Sequence, residues 1–175
     1  MNQAKEIFEE ALTLKSNSDF EELHLQNQLA NTFLHLGNTE EAKKIWENSL
    51  NKETQLVDIS LVPNNNLGLA YSLLGETEKA IAFYNSRIGL LTKEQVADAI
   101  RYHGYLGYIL LQAGDFEKAK LSLQKALDFS EKSNLYNDIF SLIGNLFTAY
   151  SKTFEYMNCL ELLEKATEYP VSYTH

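Results

Sequence analysis

Proline is nearly missing from this chain, with two in 175 residues, and there are only eight glycines and one cysteine. So few turn-forming residues exclude a fold built on many β-turns or long loops. A lone thiol, Cys159, excludes an intrachain disulfide. No run approaches the roughly 18 apolar residues of a membrane-crossing helix. Met1 to Glu10 carries four charges and no apolar core of the kind a signal peptide has. There is no Lys/Arg cluster, and the formal charge is −9, which argues against nucleic acid and anionic membranes as partners. These absences lead to the expectation of a soluble cytoplasmic protein.

What is present is apolar and periodic. Hydrophobic residues make up 45% and aromatics 11%, enough for a core and unlike a disordered chain. Segments 29–50, 67–88 and 106–127 align with one another. Each has a helical pattern, a glycine, a polar pair and a second helical pattern. The glycines are Gly37, Gly75 and Gly114. Five residues on stand Ala42, Ala80 and Ala119, and nine on stand Trp46, Tyr84 and Leu123. Four residues before the glycines are Phe33, Tyr71 and Leu110, preceded by Leu29–Ala30, Leu67–Gly68 and Leu106–Gly107. A small residue on each helix lets the two helices of a hairpin approach, and the large residues fill the space beside that contact. The glycine ends the first helix in a left-handed conformation. Asn38 and Asp115 are placed to cap the second.

On these residues the chain resembles the tetratricopeptide repeat family. A fourth copy is degenerate: Leu146, Tyr150, Cys159, Leu163 and Ala166 fit, but Phe147 and Phe154 stand at the two glycine positions. Ala4, Phe8 and Ala11 match a second-helix signature and suggest an opening half repeat. The resemblance implies an all-α fold, a right-handed α-α superhelix (a TPR-like solenoid) of about nine antiparallel helices. It implies a single TPR-like domain over 1–175, with a half repeat about 1–17 and repeats about 18–53, 54–92, 93–132 and 133–170. Approximate helix spans are 2–16, 19–36, 39–51, 55–74, 77–91, 93–113, 116–131, 134–153 and 155–168. Thr92 with Gln95, and Ser18 with Glu21, read as capping boxes. Pro63 starts or kinks a helix, and Pro170 ends the last. The spacings of 38, 39 and 40 residues between successive turn positions exceed the family's usual ~34.

Catalytic chemistry finds little support. His24, His35, His103 and His175 form no metal-binding signature. Cys159 stands at a small packing position, where an inert buried thiol is expected. The paired acids Glu9–Glu10, Glu21–Glu22 and Glu40–Glu41 read as solvated helix faces. Gly104 and Gly107 sit inside a helical pattern, not in a phosphate loop. No catalytic residue, metal or cofactor is expected.

The resemblance further implies that first helices line a concave face. The side opposite their packing residues comprises His24, Asn27, Gln28, Asn31, Leu34 and His35 in the first repeat. In the second it comprises Val62, Asn65, Asn66, Leu69, Ser72 and Leu73. In the third it comprises Arg101, Gly104, Tyr105, Tyr108, Leu111 and Gln112, and in the fourth Ser141, Gly144, Asn145, Thr148, Ser151 and Lys152. No acid falls on this face, where random placement of the chain's acids puts about three. The candidate peptide-binding residues are His24, Asn27, Asn31, His35, Asn65, Arg101, Tyr105, Tyr108, Gln112, Asn145 and Lys152. An asparagine amide both donates and accepts, so it can pair with an extended peptide backbone whatever its sequence. The family's carboxylate-clamp adaptors have a lysine where this chain has Asn27, so acidic tails of heat-shock proteins are not assigned as partners. Gly104 and Gly144 share one register and could open a hollow in the groove wall or let helices pack closely. The expected role is an adaptor, chaperone-like or regulatory module binding a protein or a neutral or acidic peptide. The alternative is a structural subunit using its convex face, with an enzyme subunit less favoured.

Overall fold

The computed structural model describes residues 6, 19–53 and 65–169. All eight helices given below lie among these: α1 (Asp19–His35), α2 (Thr39–Glu53), α3 (Asn65–Leu73), α4 (Thr77–Gly89), α5 (Val96–Gln112), α6 (Phe116–Ser133), α7 (Ile139–Lys152) and α8 (Tyr156–Ala166). The described residues contain no strand. The opening half repeat (apart from helical Glu6), Ser18, Pro63 and Pro170 lie outside the described residues. The chain divides into two compact units, Met1–Ala80 and Ile81–His175.

The hairpin turns follow from the residue at one position. Gly37, Gly75 and Gly114 have φ of 81°, 77° and 81°. The next amide then reaches back to the carbonyl five residues earlier: Asn38 to Phe33 at 2.9 Å, Glu76 to Tyr71 at 2.8 Å and Asp115 to Leu110 at 3.0 Å. This is the Schellman closure, which satisfies carbonyls that the helix end leaves bare. In the fourth repeat Phe154 takes the same place, with φ 61°. Glu155 N–H reaches Tyr150 O at 2.9 Å. The aromatic at the glycine position therefore leaves the turn intact and carries the backbone strain that glycine avoids.

Within the first unit, Ala30, Ala42, Trp46 and Leu67 are wholly buried, with Leu23, Leu29 and Phe33 nearly so. The Trp46 indole donates to Asn27 Oδ1 at 2.8 Å, which satisfies the one polar atom that a buried tryptophan brings with it. Polar ties brace the outside of this core. Lys43 bonds Glu76 at 2.7 Å, Lys79 bonds Glu76 at 2.5 Å, and Tyr71 donates to Glu47 at 2.8 Å. The two lysines hold the Glu76 carboxyl below its ordinary range. Burial, and then the bond to Glu47, pushes the Tyr71 hydroxyl upward.

In the second unit, α5 and α6 approach closely at Gly107. A Cβ there would lie 2.5 Å from Leu123 Cγ and 3.2 Å from the Leu123 backbone nitrogen. Leu123, Ala126, Leu127, Ile139, Leu146 and Ala149 are wholly buried. Asp115 caps α6 by accepting from Lys118 N–H at 3.3 Å. Tyr84 of α4, also wholly buried, lies with its ring centroid 5.6 Å from that of Tyr105, nearly parallel.

Among the described residues two helix starts differ from expectation, and the expected start near 55 lies outside them. Thr92 and Gln95 do interact, with Gln95 Oε1 accepting the Thr92 amide at 3.0 Å. That pair closes a separate turn, and α5 begins only at Val96 rather than near 93. Between α6 and α7, Asn134 adopts φ 56° and caps a helix that runs to Ser133. Residues 135–138 are spent on the turn, so α7 starts at Ile139 instead of near 134. Asparagine tolerates the left-handed region, and here it stops the helix at Ser133, slightly beyond the expected end near 131.

Candidate functional site

On the first unit, His24 and His35 are exposed on α1. Asn27 corrects the sequence expectation: it is 4% exposed and its carbonyl is taken by the Trp46 indole, so it serves the core. A tryptophan nineteen residues downstream needed a buried acceptor, and a helix-face count alone does not contain that information. Asn31 sits one turn on and is half-buried. Its Oδ1 accepts from Asn66 Nδ2 at 2.6 Å, joining α1 to α3. Asn66 is therefore brought to Asn31, while the side chain of Asn65 and all of Val62 lie outside the described residues. Leu73, at the end of α3, is exposed.

On the second unit, Arg101 is exposed and bonded to Asp98 at 3.1 Å, so an acid one turn away already engages its guanidinium. Tyr105 is half-buried against Tyr84, which fixes its ring, while Tyr108 and Gln112 are exposed. Leu111 is buried and leaves the expected face. Asn145 is half-buried and Lys152 exposed on α7. The two glycines of shared register differ. A Cβ on Gly104 would meet Leu142 Cδ2 at 3.0 Å, whereas one on Gly144 would meet nothing within 4 Å. Gly104 thus stands where α5 comes close to Leu142 of α7, whereas Gly144 faces open space.

His103, on the other side of α5, was noted in the sequence only as lacking metal partners. It is buried with its ring stacked on Phe129 at 6.0 Å, and its Nδ1 has no hydrogen-bond partner among the described residues. Burial, then the nearby Lys125 charge, holds its pKa below the ordinary histidine value. Cys159 is buried, with its thiol 3.7 Å from Phe147 O. Among the described residues no three of His, Cys, Asp and Glu gather as a metal would require, and no helix is long and apolar enough to cross a membrane.

The surface thus offers two chemistries: paired amides on the first unit, and tyrosines beside a cation on the second. The sequence pattern of the Tetratricopeptide repeat family matches residues 63–86 and 100–133. No curated protein matches the chain in sequence. Among solved structures it is similar to BtubC from P. vanneervenii, at 19% identity and a TM-score of 0.81, over 95% of this chain and 71% of that one. It is similar to Bacillus thuringiensis PlcR, solved in complex with the peptide PapR7 and DNA, at 17% identity and a TM-score of 0.78. That match covers 95% of this chain but 62% of PlcR, so this chain spans less than two thirds of that protein. TPR-like repeats from Podosopora anserina match at 18% identity and a TM-score of 0.75, over 94% of this chain and 84% of that one. These likenesses place the fold as an all-α, TPR-like solenoid.

Proposed function

The chain carries tetratricopeptide repeats, and from that premise we propose that it is a non-catalytic binding module whose first helices hold an extended, neutral or acidic protein segment along the concave groove. The observation that carries this reading is the Asn31–Asn66 amide pair, half-buried on neighbouring first helices. Each amide keeps hydrogen-bonding capacity beyond their mutual bond, and a peptide backbone can use it without regard to side chains. Tyr105, held against Tyr84, and exposed Tyr108 add rigid contact area with polar tips. Exposed Lys152 adds positive charge for an acidic group. PlcR, which shares the fold, was solved with a peptide, and that likeness agrees with the reading. A cytoplasmic setting, with Cys159 reduced, fits the same reading.

The test is a displayed library of extended peptides of graded charge, panned against the full chain. Neutral and acidic peptides should be enriched, and Asn31→Ala with Asn66→Ala should weaken the best of them by about tenfold or more. Salt should weaken the acidic ones further. Enrichment of basic peptides, or binding indifferent to both asparagines, would overturn the assignment.

A further inference from the structure

The part of the first-helix face that lies in the second unit has a chemistry of its own. Tyr105 is half-buried, with its ring nearly parallel to that of Tyr84 at 5.6 Å. Tyr84 is itself set edge-on to Phe83 at 5.4 Å and tilted to Tyr102 at 6.2 Å, and all three of these rings are buried. The Tyr105 ring is thus a flat surface backed by a fixed aromatic cluster. Tyr108 stands one turn further along α5 and is 39% exposed.

The polar groups around these rings are rich in donors. Among the described residues the hydroxyls of Tyr105 and Tyr108, the amides of Gln112 and Asn145 and the Lys152 ammonium make no side-chain hydrogen bond. An ammonium only donates, and hydroxyls and amides donate as well as accept. The Thr148 hydroxyl is spent on Gly144 O at 2.8 Å. An ordinary extended strand brings as many amide N–H groups as carbonyls. A polyproline II segment brings carbonyls free of internal bonds, and each proline removes one N–H. Its stiffness lowers the cost of ordering it, and its ring faces fit a rigid aromatic surface.

Charge sets one further feature of the ligand. The charged or titratable groups of α5 and α7 are Asp98, Arg101, His103 and Lys152, with Asp138 just before α7. Arg101 is bonded to Asp98, His103 is buried on the other side of α5, and Asp138 lies at the opposite end of α7 from Lys152. Lys152 is therefore the cation left for a ligand. We propose that this part of the face takes a proline-rich stretch of the partner segment in the polyproline II conformation, with its prolines on Tyr105 and Tyr108 and an acidic residue beside Lys152. The inference rests on the groove reading above and adds the partner's chemistry to it.

The test titrates three labelled peptides of equal length into the full chain by fluorescence anisotropy. One is proline-rich with a single glutamate, the second has its prolines replaced by alanine, and the third has its glutamate replaced by lysine. The first should bind about tenfold tighter than either of the others. Tyr108→Leu keeps an apolar side chain at an exposed position, so the unfolding transition should stay in place while the proline peptide falls to the level of the alanine one. Lys152→Glu should reverse the order of the glutamate and lysine peptides. Equal binding of the proline and alanine peptides overturns the inference. So does a proline preference that survives both Tyr105→Leu and Tyr108→Leu, or a glutamate preference that Lys152→Glu leaves unchanged. If the alanine peptide binds as well as the proline one and weakens in the Asn31→Ala, Asn66→Ala variant, the groove reading stands and this inference alone fails. If none of the three peptides binds, both fail.

Discussion

The third and fourth hairpins follow one plan with different residues at the points that matter. In α5–α6, Gly107 brings the helices together until only hydrogen fits against Leu123, and Gly114 turns the chain without strain. In α7–α8, Phe147 and Phe154 take those two places, yet the turn closes with the same backbone bonds. The thiol of Cys159 lies near the Phe147 carbonyl, so a small residue on the partner helix still marks the crossing. The lesson is that the turn geometry is imposed by the hairpin as a whole. Glycine makes it cheap, but packing on both sides can hold an aromatic there.

Breaking the inner packing should have the largest effect. Trp46→Ala should cost about 3–5 kcal/mol in denaturant melts, because it empties a closed site and strands the buried Asn27 carbonyl. The matching truncation in the last hairpin, Leu163→Ala, should cost less than about 1 kcal/mol, since that side chain is already half in water. Equal losses would mean that the repeat register is misassigned.

Gly107→Ala should cost about 1–3 kcal/mol, because a methyl there meets backbone as well as the Leu123 side chain. Gly144→Ala, facing open space on a helix, should instead raise stability by about 0.5–1 kcal/mol. The sign difference between the two, read from paired melts, tests whether the glycines have separate roles.

Phe154→Gly should stabilise the chain by about 1 kcal/mol by relieving a positive φ at a side chain that buries little. Gly114→Ala should lose a similar amount, about 1 kcal/mol. If Phe154→Gly destabilises, the aromatic contributes a contact within the hairpin that outweighs its strain.

The smallest effect concerns pH. Folded His103 stays neutral at pH values where the unfolded chain's histidine, with a pKa near ~6.5, is already taking up a proton. The unfolded state therefore binds more protons below that value, and stability should fall as pH drops from 7 towards 5. His103→Phe should flatten that part of the slope in melts at stepped pH. An unchanged slope would place the acid sensitivity elsewhere.

Much of this was legible beforehand because the repeat signature reports contacts inside a hairpin. Gly37, Gly75 and Gly114, the buried alanines and the large residues nine positions on all fall where spacing puts them. The binding face was less legible. Periodicity gives the direction in which a side chain leaves its helix, but not what lies there. Asn27 meets a tryptophan, Leu111 meets the core, Arg101 meets Asp98, and Gly104 meets Leu142 of another helix.

By itself the sequence determined the helical hairpins, their turns and the small-against-large pattern of their cores, because each depends on residues close together along one or two helices. Tertiary structure alone decided which asparagine joins the core and which pairs across to the next repeat. It also decided that Phe154 adopts glycine's conformation. Those outcomes depend on which atoms of distant segments arrive at a given point, and no periodicity along the chain records that.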